Sequence, residues 1–153
     1  AYGLAGLRIG YGFAHEELIG NLLKVKLPFE PSALAEAAGI AALGDKEFLH
    51  HTLETNARGM RTVTRVLAEM GIEFVQNEAN FVMTLWPSRE VAEDIVERLA
   101  RLGVIVRPLA QFGIPQGVRI TIGSNEQNEI LISALWQATS GIREEAGELV
   151  CRS

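Results

Sequence analysis

Residues 104–135 read VIVRPLAQFGIPQGVRITIGSNEQNEILISAL, and this stretch decides how the second half of the chain is built. VIVRPL is a short run rich in β-branched residues, and GVRITIG alternates apolar with other side chains. The pattern therefore predicts two strands, 104–109 and 117–123, joined by the loop AQFGIPQ. Ser124-Asn125 then caps a final helix, which we expect to end near residue 142.

The two predicted strands carry one arginine each, Arg107 and Arg119. The apolar side chains of the second strand share one face, so Arg119 lies on the other face beside Thr121. Two guanidinium groups that project from adjoining strands can grip an anion bidentately. The residues alone fit a solvated strand face equally well or better. The residues alone therefore allow two interpretations of Arg107 and Arg119, an anion site and a solvated strand face.

Helix and strand patterns continue on the N-terminal side of this stretch. Asp45 caps a long helix predicted over 46–70, strand-like runs cover 72–75 and 80–86, and Pro87-Ser88 opens another helix that ends before Gly103. The order from residue 45 onward is helix, strand, strand, helix, strand, strand, helix. This order predicts an α+β unit, a small sheet with helices on one face.

The first 44 residues follow a different pattern. RIGYGFA (8–14) predicts a short strand, and Gly10 and Gly12 suggest that another backbone approaches closely on one face. Two helices are predicted after it, over 15–26 and 32–44. One strand cannot form a sheet, so this segment is expected to be the trailing end of a different, larger domain.

Composition and charge exclude several classes of protein. The chain has 153 residues and a net charge of −5, which argues against a nucleic-acid partner, since a protein that binds nucleic acid would show a clustered basic face. No apolar run reaches the ~18 residues that span a bilayer, so no membrane partner is expected. The single cysteine, Cys151, fits a reducing compartment, hence the cytoplasm, and is interpreted as an incidental exposed thiol. His50 and His51 are adjacent on a helix and no ligand spacing surrounds them, so we expect no metal.

The opening segment AYGLAGLRIGYG (1–12) surrounds Arg8 with glycines. On the residues alone, a tight turn with Arg8 in a surface ion pair is favoured over a phosphate site. The segment closely resembles the run S-K-A-Y-G-L-A-G-L-R-x-G-Y of fold-type I, class I/II aminotransferases. The resemblance implies that Arg8 contacts the phosphate of pyridoxal 5′-phosphate (PLP), and that the lysine bonded to the cofactor would stand immediately before Ala1.

The arginines of the second half extend this resemblance. R-x-T-x-G is the aminotransferase segment whose arginine grips the substrate α-carboxylate, and that arginine matches Arg119. The segments V-I-V-R-P-L, F-G-[ILV]-P and N-E-x-N-E resemble histidinol-phosphate aminotransferases in particular, in which the arginine that matches Arg107 helps to hold the anionic end of the substrate. EANFVM (78–83) resembles their A-N-F strand without the usual proline-serine pair, so no substrate contact is assigned to Asn80. The resemblance covers residues 1–138.

The resemblance implies an α/β fold with three parts. Residues 1–44 would be the C-terminal remnant of the large cofactor-binding domain, 45–142 the small C-terminal domain with a mainly antiparallel sheet covered by helices, and 143–153 a charged tail. The chain would then be the C-terminal portion of the enzyme and inactive alone, with no catalytic residue of its own. Tyr2 and Tyr11 are interpreted as structural.

The implied function is transfer of an amino group from histidinol phosphate to 2-oxoglutarate, by a homodimer that uses PLP. Arg8 would bind the cofactor, and Arg107 and Arg119 would bind the substrates, an amino acid or amino phosphate and a 2-oxo acid. Three alternatives stay open. These are an aromatic or other amino-acid aminotransferase, a phosphothreonine-type decarboxylase of the same fold, and a non-catalytic α+β module that binds a partner or a small anion.

Overall fold

The computed structural model describes the backbone of residues 1–150 and the side chains of residues 1–140. The chain divides into two compact units, Ala1–Leu53 and Glu54–Ser153, and the division falls inside a long helix. The prediction of two domains and a tail, with boundaries at 44/45 and 142/143, stays a prediction. Cys151 lies outside the described residues.

The first unit contains helices and connecting segments. A 3₁₀ turn spans Ala5–Leu7, α1 spans Glu16–Val25, α2 spans Ala33–Gly44, and α3, Lys46–Glu69, begins here. Side chains cap the helices because their first backbone N–H groups lack partners within the helix. Ser32 Oγ accepts a hydrogen bond from Ala35 N at 3.2 Å, and Asp45 Oδ1 accepts one from Phe48 N at 2.9 Å. The sequence-predicted starts of α2 and α3 are confirmed.

The predicted strand over residues 8–14 is wrong. Arg8 ends the 3₁₀ turn in the left-handed region, at φ 58°, and the residues from there to His15 form neither helix nor strand. A Cβ atom added at Gly10 or Gly12 would meet no atom within 4 Å, so the expected close approach of another backbone is absent from the described structure. A strand needs a neighbour to satisfy its backbone groups, and residues 1–53 supply none.

The second unit is built on a four-stranded sheet. Its strands are β1 (Glu73–Val75), β2 (Phe81–Leu85), β3 (Arg107–Pro108) and β4 (Gly117–Thr121), in the order β1-β2-β4-β3, and each pair is antiparallel. The remaining helices are α4 (Arg89–Arg101) and α5 (Asn125–Val150). The predicted order of elements and the mainly antiparallel sheet are confirmed. The end of α5 is different, because the helix continues past residue 142 to Val150.

The helices cover one face of this sheet. Alternate residues of β2 and β4 are buried on that face, where they pack against apolar residues of the three helices. The fully buried members of this core are Val63, Leu67, Val82, Ile95, Leu99, Val118 and Leu135. The intervening residues lie on the second face and are half-buried or exposed, among them Phe81, Met83, Arg119 and Thr121. The alternation predicted for residues 118–122 is therefore confirmed, and it leaves Arg119 on the uncovered side.

One buried polar pair lies inside this core. Thr84 is fully buried, and its hydroxyl donates to the carbonyl oxygen of Val118 at 3.1 Å. The indole Nε1 of Trp86 donates to the same Thr84 oxygen at 3.1 Å, so the polar side-chain atoms of this pair are both hydrogen-bonded. The bond from Thr84 to Val118 joins β2 to β4. None of the described helices is long and apolar enough to cross a membrane.

Candidate functional site

The sheet places the two strand arginines side by side. β3 pairs with β4 in the register Arg107↔Arg119, and β4 pairs with β2 in the register Met83↔Arg119. Directly opposed residues of an antiparallel pair project from the same face, with Cβ atoms about 4.5–5.5 Å apart. The expectation that the two arginines come from adjoining strands is confirmed. They form the arginine pair of the second face.

Each guanidinium of the arginine pair lies over a phenylalanine ring. The Cζ atom of Arg119 is 5.2 Å from the ring centroid of Phe81, and that of Arg107 is 5.5 Å from the ring centroid of Phe112. Both distances are within the ~6 Å at which a cation is attracted to an aromatic face. Sequence reasoning did not identify either ring, because nothing in a strand or loop pattern reports which cation an aromatic residue will contact.

The electrostatics of the arginine pair favour an anion. Two cations directly opposed across a strand pair repel each other. Among residues 1–140, no carboxylate forms an ion pair with either arginine, and no hydrogen bond occupies their terminal nitrogens. The Nε atom of Arg119 is buried and has no hydrogen-bond acceptor within the part of the chain whose side chains are described. The arrangement is costly by itself, and an anion bound to the terminal nitrogens would offset that cost.

The three arginines of α4 are paired with carboxylates. On α4, Arg89 pairs with Glu93 at 2.8 Å, and Arg98 pairs with Asp94 at 2.7 Å. The side-chain hydrogen bond and charge of Glu93 raise the pKa of Arg89 above its usual value. These exposed i,i+4 pairs contribute little to stability. They do show that acidic partners are available in this unit, and that the arginine pair has none among the described residues.

The loop between β3 and β4 is closed by its own backbone. Leu109 N donates to Gly117 O at 2.9 Å, Phe112 N donates to Leu109 O at 2.9 Å, and Gly117 N donates to Ile114 O at 3.0 Å. Gly113 follows the 3₁₀ turn Ala110–Phe112 at φ 81°, which a residue with a side chain rarely adopts. The loop therefore fixes the backbone that carries Phe112 beside Arg107.

Asn128 fixes the turn that follows Arg119's strand. Its Oδ1 accepts from Gly123 N at 2.9 Å and its Nδ2 donates to Gly123 O at 3.1 Å, while the side chain is only 3% exposed. Space around it is tight, since a Cβ at Gly59 of α3 would lie 2.6 Å from Asn128 Nδ2. Asn128 is the second asparagine of the motif N-E-x-N-E, and the motif alone does not indicate this role.

Asparagines also organise the loop between β1 and β2. Asn77 Oδ1 accepts from Ala79 N at 2.7 Å, and Asn77 Nδ2 donates to Phe81 O at 2.9 Å. The backbone oxygen of Asn80 accepts from Ile122 N at 2.8 Å, which extends the pairing of β2 with β4. Asn56 Nδ2 on α3 donates to Ala79 O at 3.3 Å, while its Oδ1 is buried without a partner. The loop that leads into Phe81 is therefore held at several points.

Arg8 belongs to the first unit, and the structure gives it a different setting. Its side chain is exposed, and Nη1 donates to the carbonyl oxygen of Ala5 at 3.0 Å. Within residues 1–140 no carboxylate pairs with Arg8, so the surface ion pair favoured by the residues alone is absent there. The other nitrogens of the guanidinium carry no described hydrogen bond. Such a group fits the dianionic phosphate of a cofactor.

Comparison with known proteins decides the family. The family model for class I and II aminotransferases matches residues 1–135. The chain belongs to this family. A relative from Ralstonia nicotianae named histidinol-phosphate aminotransferase 2 is 43% identical over 139 residues, which is 90% of this chain and 37% of that protein.

Two solved structures resemble this aminotransferase chain. The histidinol-phosphate aminotransferase of Sinorhizobium meliloti, solved in complex with PLP, is 28% identical with a TM-score of 0.79, over 92% of this chain and 39% of that one. A decarboxylase from Sulfurospirillum multivorans is 26% identical with a TM-score of 0.66, over 87% of this chain and 39% of that one. The aminotransferase chain thus spans well under half the length of the proteins it matches.

Proposed function

We propose that this chain holds the anionic groups of cofactor and substrate in a PLP-dependent aminotransferase that acts on histidinol phosphate and 2-oxoglutarate. The observation that carries the proposal is the register Arg107↔Arg119, which opposes two guanidinium groups that have no ion-pair partner among residues 1–140. The 43% identity to a histidinol-phosphate aminotransferase supports the choice of substrate. Arg8 is proposed to bind the phosphate of PLP.

The arginine pair has a defined part in this function. When bound, PLP accepts the amino group from one substrate and passes it to the other. The two substrates differ at their anionic ends, since histidinol phosphate carries a phosphate and glutamate carries two carboxylates. The planar fork of a guanidinium suits both kinds of anion. Arg119 and Arg107 would orient each substrate in turn and exchange the phosphate for carboxylates between the half-reactions.

The finer parts of the function also belong to this proposal. We infer a homodimer located in the cytoplasm, as the resemblance implies. The chain alone is expected to have no transaminase activity, because it spans 37% of the relative's length. Purified chain mixed with PLP, histidinol phosphate and 2-oxoglutarate should give no glutamate above the protein-free background. Measurable turnover by the chain alone would contradict this expectation.

A chimera tests the substrate assignment. The segment of the Ralstonia nicotianae relative that matches this chain would be replaced by the chain itself, and glutamate formation from histidinol phosphate and 2-oxoglutarate would be measured. We expect turnover with histidinol phosphate that exceeds turnover with phenylalanine or tyrosine as donor. A preference for an aromatic amino acid would contradict histidinol phosphate as the substrate and would still support an aminotransferase.

Decarboxylation is a second candidate function, favoured by the structural likeness to the Sulfurospirillum multivorans decarboxylase. A pair of arginines suits an amino acid phosphate as well as an amino phosphate, because both are anionic at the end held by the pair. The same chimera would be incubated with phosphothreonine, and release of carbon dioxide would be measured. Carbon dioxide without glutamate formation would favour the decarboxylase over the aminotransferase.

A further inference from the structure

We propose that Phe81 and Phe112 are positioning residues, whose rings hold the guanidinium groups of Arg119 and Arg107 in the geometry that receives an anion. The inference rests on the proposed function of the arginine pair and adds to it the means by which the pair is kept in place. The rings do not touch the anion in this proposal. They act on the arginines.

Phe81 holds Arg119 within the sheet. Phe81 opposes Thr121, two residues after Arg119 on the same face, so ring and guanidinium are diagonal neighbours. Arg119 Nε is buried and lacks an acceptor among the described side chains and backbone, and the Cζ atom of the same group is 5.2 Å from the ring centroid. The electron-rich face of the ring partly takes the place of the missing acceptor. The terminal nitrogens of Arg119, which carry no described hydrogen bond, are left for the ligand.

Phe112 holds Arg107 from a loop. β3 is only two residues long and lies at the edge of the sheet, so its backbone restrains Arg107 weakly. Phe112 is 60% exposed, which means that its ring contributes little to the core. Its described ring contact is the guanidinium of Arg107, 5.5 Å from Cζ to the centroid. The loop that carries Phe112 is closed by five backbone hydrogen bonds between Leu109 and Gly117, so the ring is mounted on a fixed backbone.

The arginine pair needs such supports because its members repel each other. Two flexible side chains of like charge would turn apart into solvent in the absence of an anion, and would then lose rotamer freedom on binding. Guanidinium groups already held over aromatic rings lose less freedom, so the anion binds more tightly. Removal of a ring should therefore weaken anion binding without removing any charge. Replacement of the ring by another aromatic ring should preserve binding.

The experiment follows the arginine side chains of the 153-residue chain directly. The Nε–Hε signals of the ¹⁵N-labelled protein would be recorded while inorganic phosphate is added, for the parent chain and for Phe112→Leu, Phe112→Tyr, Phe81→Leu and Phe81→Tyr. Phe48→Leu is the matched control, since Phe48 is an exposed phenylalanine with no described cation contact. We expect each ring-to-leucine change in the arginine pair to raise the phosphate Kd by about 3- to 10-fold, from the usual strength of a cation–aromatic contact.

The outcomes separate this inference from the proposed function. Weaker phosphate binding in both leucine variants, parent-like binding in both tyrosine variants and in Phe48→Leu, and a changed Arg107 signal in Phe112→Leu before phosphate is added would support the proposal. A parent chain whose Arg107 and Arg119 signals do not respond to phosphate would overturn the proposed anion site, and this inference with it. Phosphate binding of equal strength in the parent and in Phe112→Leu would overturn the inference alone. Phe112 is exposed, so its variants should fold, and the parent spectrum serves to check this.

Discussion

Arg119 is proposed to bind an anion through both terminal nitrogens of its planar guanidinium group. Arg119→Lys keeps the charge and loses the planar fork, so a bidentate contact with a carboxylate or phosphate is no longer possible. We expect a loss of about 2–4 kcal/mol, roughly 30- to 1000-fold in kcat/KM of the chimera. Both half-reactions would be measured, with Arg89→Lys on α4 as the matched control. An unchanged kcat/KM in Arg119→Lys would make Arg119 an ordinary strand residue.

Arg107 should discriminate between the substrates. It lies at the edge of the sheet and is exposed, so we propose that it meets the end of the substrate that differs between the two half-reactions. Arg107→Ala should then weaken the reaction with histidinol phosphate more than the reaction with glutamate, because the phosphate carries more charge. The comparison is kcat/KM for each half-reaction. An equal loss in both would remove the support for the histidinol-phosphate assignment and leave the aminotransferase proposal in place.

Arg8 should act on the cofactor instead of the substrate. Its exposed guanidinium makes one described hydrogen bond, to Ala5 O, and has nitrogens to spare for a phosphate. Arg8→Lys in the chimera should weaken retention of PLP while leaving the KM values of both substrates close to those of the parent. Cofactor content after dialysis, read from its absorbance, is the measurement. A parent-like PLP content together with a raised substrate KM would mean that Arg8 binds the substrate and not the cofactor.

Among the elements, the turn between β4 and α5 has the sharpest test. Asn128 makes two hydrogen bonds to the backbone of Gly123 from a side chain that is 3% exposed. Asn128→Ala removes both and leaves backbone groups of Gly123 unpaired, so it should lower the free energy of unfolding by about 2–4 kcal/mol. Urea unfolding of the chain would measure this, with the exposed Gln137→Ala as control. If Asn128→Ala lowers the free energy of unfolding no more than Gln137→Ala does, water replaces the two hydrogen bonds of the Asn128 amide.

Local signals explain why most elements could be predicted from the sequence. Asp45 and Ser88 accept hydrogen bonds from the first turns of α3 and α4, and Gly71 and Gly103 follow those helices at positive φ, as their positions in the sequence indicate. The core alternation along β4 placed Arg119 correctly. These features depend on residues close together in the chain, which is why a single sequence contains them.

The elements that could not be predicted depend on distant neighbours. Residues 8–14 have the alternation of a strand, but no strand lies beside them in the first unit. The prediction places a strand over 104–109, whereas β3 spans only Arg107–Pro108, where the chain pairs with Val118 and Arg119 of β4. The pairing of Arg107 with Phe112, and of Arg119 with Phe81, depends on register and loop closure. No pattern within either segment reports it.

At the scale of the whole molecule, the two units differ in how much they bury. Within residues 1–53 only Ala35 is buried, whereas the second unit has a continuous core. We therefore expect strong hydrogen-exchange protection over 60–70 and 117–136, and weak protection over 1–25. The measurement is amide exchange of the chain followed by mass spectrometry. Uniform protection in a monomer would contradict this expectation.

The apolar side chains of the first unit lead to a related expectation. Several large ones are exposed, namely Tyr11, Phe13, Leu18, Leu22, Leu23, Val25, Leu27 and Phe29. Surfaces of this kind are uncommon on soluble monomers and favour association. Sedimentation of the chain should show concentration-dependent self-association, and Leu22→Glu should reduce it. A monomer at all concentrations would mean that this surface tolerates water.

The opposed guanidinium groups of β3 and β4 also link anion binding to the free energy of unfolding. A ligand that binds the folded chain and ignores the unfolded one stabilises the fold by RT ln(1 + [L]/Kd), about 2.7 kcal/mol when the ligand is present at one hundred times its Kd. Phosphate should therefore raise the melting temperature of the second unit, and the increase should vanish when both arginines are replaced by methionine. The stability of this unit would then report how much of the arginine pair is bound to an anion. In a cell with a high substrate concentration, the unit would have a higher free energy of unfolding than in a cell with little substrate.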